Sequence, residues 1–485
     1  MLNPEISAKK KFSILKKLLN NQKFSSIPPL IDGSLTIKDP KQQSDILNTH
    51  FATKSTVPNP NDCVPNLEQK QYHTHFDQIN TSPLQVAKII RTTLKKSHIS
   101  YCGIPGKFLG LISTPISFSL SRLLNNYFEQ GVFPDIWKLS HITAIWKHKG
   151  LKSDKTMYRP ISLLPTLSKI CEAIIHNDLL RHCQENNVIS TKQAAYLKGD
   201  STINQLIYIL HKIRLSWTKG CITHGIFLDV SAAFDRVWHK GLIAKLKQNC
   251  VTGKVLELLT SYLSNRKNIT VVDGVKSKVE TVKAGIPQGS RLGPLLFIIY
   301  INDITDEIES DILIFADDTS LFASGKDPSE TAKILNRDLE KISTWANKWK
   351  VKFNSDKSSE IIFSNKVLNN SPPLILNNEL INRVNVHKHL GIYLTSDLSW
   401  TRHIHETCLR ANRKLAVLRK VKYLKRHTLD LLYKITVRSI MDYGLVLYYN
   451  NCTDKEKARY EKIQYNAARL VTSTLKYTSK EKEKI

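Results

Sequence analysis

Ile312-Leu313-Ile314-Phe315-Ala316-Asp317-Asp318-Thr319-Ser320-Leu321-Phe322 places two adjacent carboxylates inside an apolar run. Apolar residues on both sides of a short charged centre read as a β-hairpin with the acids at its turn. Neighbouring carboxylates repel and are costly to desolvate, so a chain keeps them at the rim of a core most readily when a cation neutralises them. Hard divalent ions bind through one or two carboxylates plus substrate phosphates. A plain solvated Asp-Asp turn is the bland alternative, and the pair alone does not choose between them.

A second stretch sharpens the reading. Gly225-Ile226-Phe227-Leu228-Asp229-Val230 is an apolar strand ending in a carboxylate, and Ser231-Ala232-Ala233-Phe234-Asp235 follows as a helix entry. A strand end and a hairpin turn that each offer aspartate could hold two metal ions roughly 3.5–4 Å apart, the clamp used for in-line phosphoryl displacement. Taken alone, Asp229 reads equally as a helix N-cap.

The 485 residues suffice for two to four domains, and 41% hydrophobic content suits a globular protein. The formal charge of +29 points to a polyanionic partner. The excess is spread along the chain, as in a lined channel. A membrane surface is the other polyanion, but the longest apolar run, Leu295 to Ile301, is too short to span a bilayer. Eight scattered cysteines without a Cys-x-x-Cys pair read as reduced thiols in an intracellular protein. His403-Ile404-His405 with Cys408 reads as a helix face rather than a metal site. The N-terminal Lys9-Lys10-Lys11 with Phe12, Ile14, Leu15, Lys16 and Lys17 has no long apolar core, so it is no secretory signal. It reads as a basic amphipathic helix, either a solvated face or a nuclear-targeting patch. The expected location is nucleus or cytoplasm, with no secretion.

Breakers at Ser25–Pro29 and Val57–Asp62 mark linkers in a mixed lead-in. Helical spacing runs from Pro83 to Asn126, interrupted by Cys102–Gly106. One helix is predicted over residues 330–350, a β-like zone over 361–394, and basic helices beyond Trp400. On the first of these, Ile404, Cys408, Ala411, Leu415 and Leu418 share a face, while Arg410, Arg413, Lys414, Arg419 and Lys420 cover much of the rest. The last lysines and glutamates, 480–484, read as a frayed charged tail.

The ordered motifs resemble the reverse transcriptase of a non-LTR retrotransposon of the jockey type, over roughly residues 130–400. Phe133-Pro134-Asp135-Ile136-Trp137-Lys138 and Tyr158-Arg159-Pro160-Ile161-Ser162-Leu163-Leu164 resemble its fingers region. Asp229–Asp235, then Gly285-Ile286-Pro287-Gln288-Gly289-Ser290 with Leu292–Phe297, then Phe315–Asp318 resemble the palm motifs in order. Asn354 with Lys357, and His389-Leu390-Gly391-Ile392, resemble the two that follow.

The resemblance implies an α+β right-hand polymerase with fingers, a palm built on an antiparallel sheet, and a helical thumb. Its expected divisions are a lead-in at 1–129, fingers and palm at 130–394, and a basic thumb with its tail at 395–485. It implies RNA-directed DNA synthesis, a nucleotidyl transfer, with RNA template, DNA primer and deoxynucleoside triphosphates as partners. Asp229, Asp317 and Asp318 would hold two Mg²⁺ ions, with Mn²⁺ as a substitute. Lys147 and Arg159 become candidates for the triphosphate, Arg159 with a bidentate fork. Lys147 also fits an ordinary surface lysine. Phe234 becomes a steric gate against a ribose 2′-hydroxyl or a plain core residue. Gln288 and Gly289, with Gly285, would position the incoming nucleotide or form an ordinary turn. Lys357 is a candidate general acid towards pyrophosphate. The thumb would grip the duplex through its phosphates.

The sequence departs from the family at the lead-in Ser97–Ile104 and at Gln193-Ala194-Ala195-Tyr196-Leu197-Lys198, where the family's Gly-Phe-Arg loses its arginine or exchanges it for Lys198. A further departure is His389, where the family carries an aromatic. These changes bear on template handling and fidelity and motivate a second hypothesis, a catalytically degenerate nucleic-acid-binding remnant. A group II intron or telomerase-type enzyme shares the palm chemistry but not the jockey-like blocks. An endonuclease domain is not recognisable, so the chain reads as a fragment of a longer frame that takes its target nick from a separate endonuclease. The sequence leaves the oligomeric state open.

Overall fold

The computed structural model describes residues 27–68, 70–72, 74–94, 101–365 and 371–474. The Lys9–Lys17 helix, the first half of the Ser97–Ile104 lead-in and the 480–484 tail lie outside them. Seven strands form the body of the two main sheets: β1 (Leu139–Trp146), β2 (Tyr158–Leu163), β3 (Ile222–Val230), β4 (Lys267–Val272), β5 (Asp311–Phe315), β6 (Asp318–Gly325) and β7 (Phe353–Phe363). The helices that pack on or beside them are α1 (Thr166–Glu185), α2 (Thr202–Thr218), α3 (Gly293–Ile301), α4 (Pro328–Trp349), α5 (Thr401–Arg419) and α6 (Asp454–Thr472). The class is α+β, as expected.

The chain forms two compact units that interleave along the sequence. The first comprises Met1–Ile189, Ala232–Asn302 and Lys348–Val351; the second comprises Ser190–Ser231, Asp303–Asn347 and Lys352–Ile485.

In the first unit β1 pairs antiparallel with β2 and parallel with β4. One face of this sheet closes a small core of Leu47, Phe51, Ile142, Tyr158 and Val272. α3 is buried along nearly its whole length, because every residue from Leu295 to Ile301 is apolar and none faces solvent. The 83–126 helical pattern is realised as Pro83–Thr93, Gly106–Leu111 and Ser113–Gln130. The first of these starts with a capping box between Ser82 and Gln85.

The second unit is built on a five-stranded sheet ordered Asn382–Arg383, β7, β3, β6, β5. The β7–β3, β3–β6 and β6–β5 pairs are all antiparallel, and only the two-residue edge strand runs parallel. α2 lays Leu206, Ile209, Leu210 and Ile213 onto Phe227, Leu313, Phe322, Ile361 and Phe363 of the sheet. The same apolar cluster continues into Ile404, Ala411, Leu415 and Leu418 of α5 and Tyr460, Ile463 and Ala467 of α6. The basic helices therefore share one core with the sheet. Arg410, Arg413, Lys414, Arg419 and Lys420 lie on the exposed side. The predicted 330–350 helix is α4, with Leu335, Leu339, Ile342 and Ala346 buried. None of the eight cysteines, all among the described residues, is joined in a disulfide. Among the described residues no helix is long and apolar enough to cross a membrane.

Candidate active site

The acidic stretch is a hairpin. Asp318 pairs with Phe315, which leaves Ala316 and Asp317 as a two-residue connection. Favoured two-residue hairpin turns need positive φ at their first central residue, and Ala316 has φ 58°. A non-glycine residue there is strained by about 1 kcal/mol or more. On the other side of β6, Thr319 pairs with Leu228. Asp229 is therefore the next residue along β3 at the level where Asp318 begins β6. Leu228, Thr319 and Ile314 form a buried layer just inside the turn. Asp229 and Asp318 lie one residue beyond that layer and Asp317 at the turn itself, Asp318 exposed and Asp317 and Asp229 half-exposed.

Asp229 lies within β3, opposite Asn354 of β7, and its N–H donates to Ser358 Oγ at 3.2 Å. It is not an N-cap, since the short helix that follows, Ala233–Arg236, is entered through Ala232. Lys357 lies in the irregular stretch of β7 between Asn354 and Ser359. Its Nζ is 3.6 Å from Asp229 Oδ2, an open surface pair. The three aspartates and Lys357 are thus gathered at one end of one sheet.

Their charges act on each other. The Asp318 carboxyl is pushed up to about 6, first by the protein crowded around it and then by the like charges of Asp317 and Asp229. The residue keeps an exposed surface, so the neighbouring carboxylates are the firmer part of that cause. Asp317 also raises the Tyr196 phenol, after burial.

Among the described residues no group of three or more His, Cys, Asp and Glu side chains is set to hold a metal ion. The donor chemistry nonetheless fits Mg²⁺. All three groups are hard oxygen donors that disfavour one another's charge, and this ion needs only one or two protein carboxylates.

The nucleotide candidates lie in the first unit. Arg159 stands exposed on β2 opposite Ile145. Lys147 follows β1 and donates from Nζ to the Thr156 carbonyl at 2.8 Å. Phe234 stacks on Phe297 of α3, with centroids 4.7 Å apart and planes 17° apart. The Gln288 amide donates from Nε2 to Asp235 Oδ1 at 2.7 Å. Its backbone carbonyl accepts from Ser162 N of β2 at 2.7 Å. The flanking glycines are required by contact as well as by backbone angle. A Cβ on Gly285 (φ 89°) would lie 2.5 Å from the Asp235 carbonyl oxygen, and one on Gly289 (φ 120°) 2.7 Å from that of Ser162.

Two supports of the first unit's nucleotide candidates escape sequence reasoning. Asp235, which the sequence presents only as the end of a helix entry, holds Gln288. Glu172 of α1 is wholly buried and accepts from Ser168 Oγ at 2.9 Å and Arg291 N at 2.9 Å. It thereby anchors the start of α3. A carboxylate in an otherwise apolar helix stretch (Ile170, Cys171, Ala173, Ile174, Ile175) is the available signal for it.

A model of the reverse transcriptase (RNA-dependent DNA polymerase) family matches residues 147–414. The RNA-directed DNA polymerase from mobile element jockey of Drosophila melanogaster is 32% identical over 344 residues, covering 68% of this chain and 37% of that protein. The probable RNA-directed DNA polymerases from transposon BS and transposon X-element of the same organism are 28% and 29% identical, over 83% and 80% of this chain and 46% and 44% of theirs. The chain therefore spans less than half the length of these relatives. A solved apo telomerase from Candida tropicalis superposes with TM-score 0.38 at 14% identity, covering 59% of this chain and 60% of that one. At that score the likeness carries no argument. The jockey-type resemblance read from the motifs is borne out. With the family match covering more than half of its length, and containing both the acidic hairpin and the strand that ends in Asp229, the chain belongs to the reverse transcriptase family.

Proposed function

We propose that this chain is the RNA-directed DNA polymerase part of a non-LTR retrotransposon protein, adding deoxynucleotides to a primer 3′-hydroxyl. The observation that carries this reading is the convergence of Asp229, Asp317 and Asp318 at one sheet end, inside the segment matched by the family.

Asp229, Asp317 and Asp318 would hold two Mg²⁺ ions, or Mn²⁺. When bound, such ions activate the attacking hydroxyl and stabilise the leaving pyrophosphate. The chain's own groups do the rest. β3 and the β5–β6 turn fix the carboxylates with backbone hydrogen bonds, so little reorganisation accompanies the reaction. Arg159, exposed and planar, binds triphosphate oxygens, and Lys147 adds charge. Phe234, half-buried and stacked on Phe297, excludes a 2′-hydroxyl. The Asp235 bond fixes the plane of the Gln288 amide, and Gly289 lets backbone approach the nucleotide. Lys357, whose Nζ lies beside Asp229, gives a proton to pyrophosphate. The exposed cations of α5 bind duplex phosphates, with strong salt dependence. The target nick comes from a separate endonuclease activity, and the work is done inside the cell.

The test is extension of a DNA primer on a homopolymer RNA template by the purified chain, with and without Mg²⁺. Metal-dependent incorporation of deoxynucleotides supports the reading. Tight template–primer binding with no incorporation under any divalent ion would instead support a nucleic-acid-binding remnant, the reading favoured by the missing arginine between Gln193 and Lys198.

A further inference from the structure

The segment before α2, around Gln193, does something in this structure that its sequence does not suggest. Residues 192–194 run alongside β5 as an extra parallel edge. Ile314 N donates to the Lys192 carbonyl at 2.9 Å and Ala194 N to the Ile314 carbonyl at 3.0 Å, with Gln193 bridged to Ile314. Lys192 Nζ closes the outer end on Asp311 at 2.8 Å. At the inner end the Gln193 side chain reaches the acidic turn. Its Oε1 accepts from Ala195 N at 2.9 Å and from Ala316 N at 3.1 Å.

We infer that Gln193 is a positioning residue for the acidic turn, fixing the Ala316 peptide from which Asp317 and Asp318 project. Three observations carry this. Ala316 holds a left-handed backbone that an alanine keeps only when its surroundings impose it. Ala316 is 5% exposed and Gln193 2% exposed, so no bulk water can replace the bond to this N–H. Two converging N–H donors settle which end of the amide faces the turn, since its own NH₂ would repel them. The Gln193 Nε2 is left buried without a hydrogen-bond partner. Satisfying the turn with the oxygen is thus achieved at the expense of the amide's other end. Such an arrangement is costly for a residue that only fills space and is characteristic of functional sites.

The link to catalysis rests on the polymerase reading, whereas the link to the turn does not, and the tests separate them. In the unmodified protein the Ala316 amide should exchange with deuterium far more slowly than an open turn amide; exchange at the free-peptide rate would overturn the inference outright. Gln193→Met keeps the side-chain volume and removes the acceptor. It should speed exchange at Ala316 while leaving the rest of β6 protected. It should also lower the kcat of primer extension by about 10- to 100-fold, the cost of a small misplacement of reacting groups. KM for the deoxynucleotide and affinity for template–primer should stay unchanged. An unaltered kcat with faster exchange would overturn the positioning role. If the unmodified protein extends no primer, the polymerase reading fails while the exchange measurement still decides whether Gln193 holds the turn.

Discussion

The two units hold their candidate residues by different physical means. In the second, the acids are placed by strand register: Leu228 against Thr319, and Phe315 against Asp318. In the first, Gln288 and Gly289 are placed by contacts between segments far apart in sequence. Gly285 lies against Asp235, Gly289 and Gln288 against Ser162, and Gln288 bonds back to Asp235. Within the β5–β6 hairpin, register is carried by alternation and a short turn, which local sequence encodes. Side-chain-to-backbone locks depend on which loops meet, which local sequence does not encode.

This difference can be broken experimentally. The largest effect is expected at the register-placed acids. Asp317→Asn or Asp318→Asn should cut primer extension by about 10³-fold or more, on the scale of losing a central electrostatic group. Template–primer affinity, read by fluorescence anisotropy, should stay the same. Equal extension by both variants and the unmodified chain would remove these residues from the chemistry.

At the contact-placed turn the effect should appear as lost stability. Gly285→Ala or Gly289→Ala forces a Cβ into a backbone carbonyl at a left-handed position. Each should destabilise the first unit by about 2 kcal/mol, seen as a lower urea midpoint with faster amide exchange in residues 284–292. A midpoint unchanged within error would show that close contact does not lock the turn.

Acid should sharpen the contrast from the other side. Burial holds His387 at about 4, His389 at about 3 and His403 at about 4, all in the second unit. Their folded values lie below the unfolded value near 6.5, so the unfolded chain takes up protons first as pH falls. The stability from the neutral rings is complete above pH 6.5 and declines as pH drops towards 4, by about 1–2 kcal/mol per group at pH 5. Amide exchange over residues 386–404 should accelerate across that range. His389→Gln should blunt the change there without altering exchange in the first unit.

The smallest effect is expected on the basic face of α5. Arg413→Ala or Lys414→Ala removes one exposed charge from a helix whose buried side is untouched. Each should reduce the slope of log affinity against log salt by about 1 if that side chain meets a phosphate, measured by template–primer titration at several salt concentrations. An unchanged slope for both would take this face out of the nucleic-acid contact.

The hairpin, the strand leading to Asp229, the helix at 328–349 and the amphipathic α5 are legible from residue order alone. Each rests on periodicity or on a short turn, and neighbours in sequence decide both. The motif order is enough to indicate the family. Folding alone reveals that Asp235 holds Gln288, that buried Glu172 anchors α3, that the basic helices share the sheet's core, and that Gln193 caps the acidic turn. Those facts concern pairs of residues separated by 50 to 120 positions or more, and only chain closure in three dimensions determines which unsatisfied donor meets which acceptor.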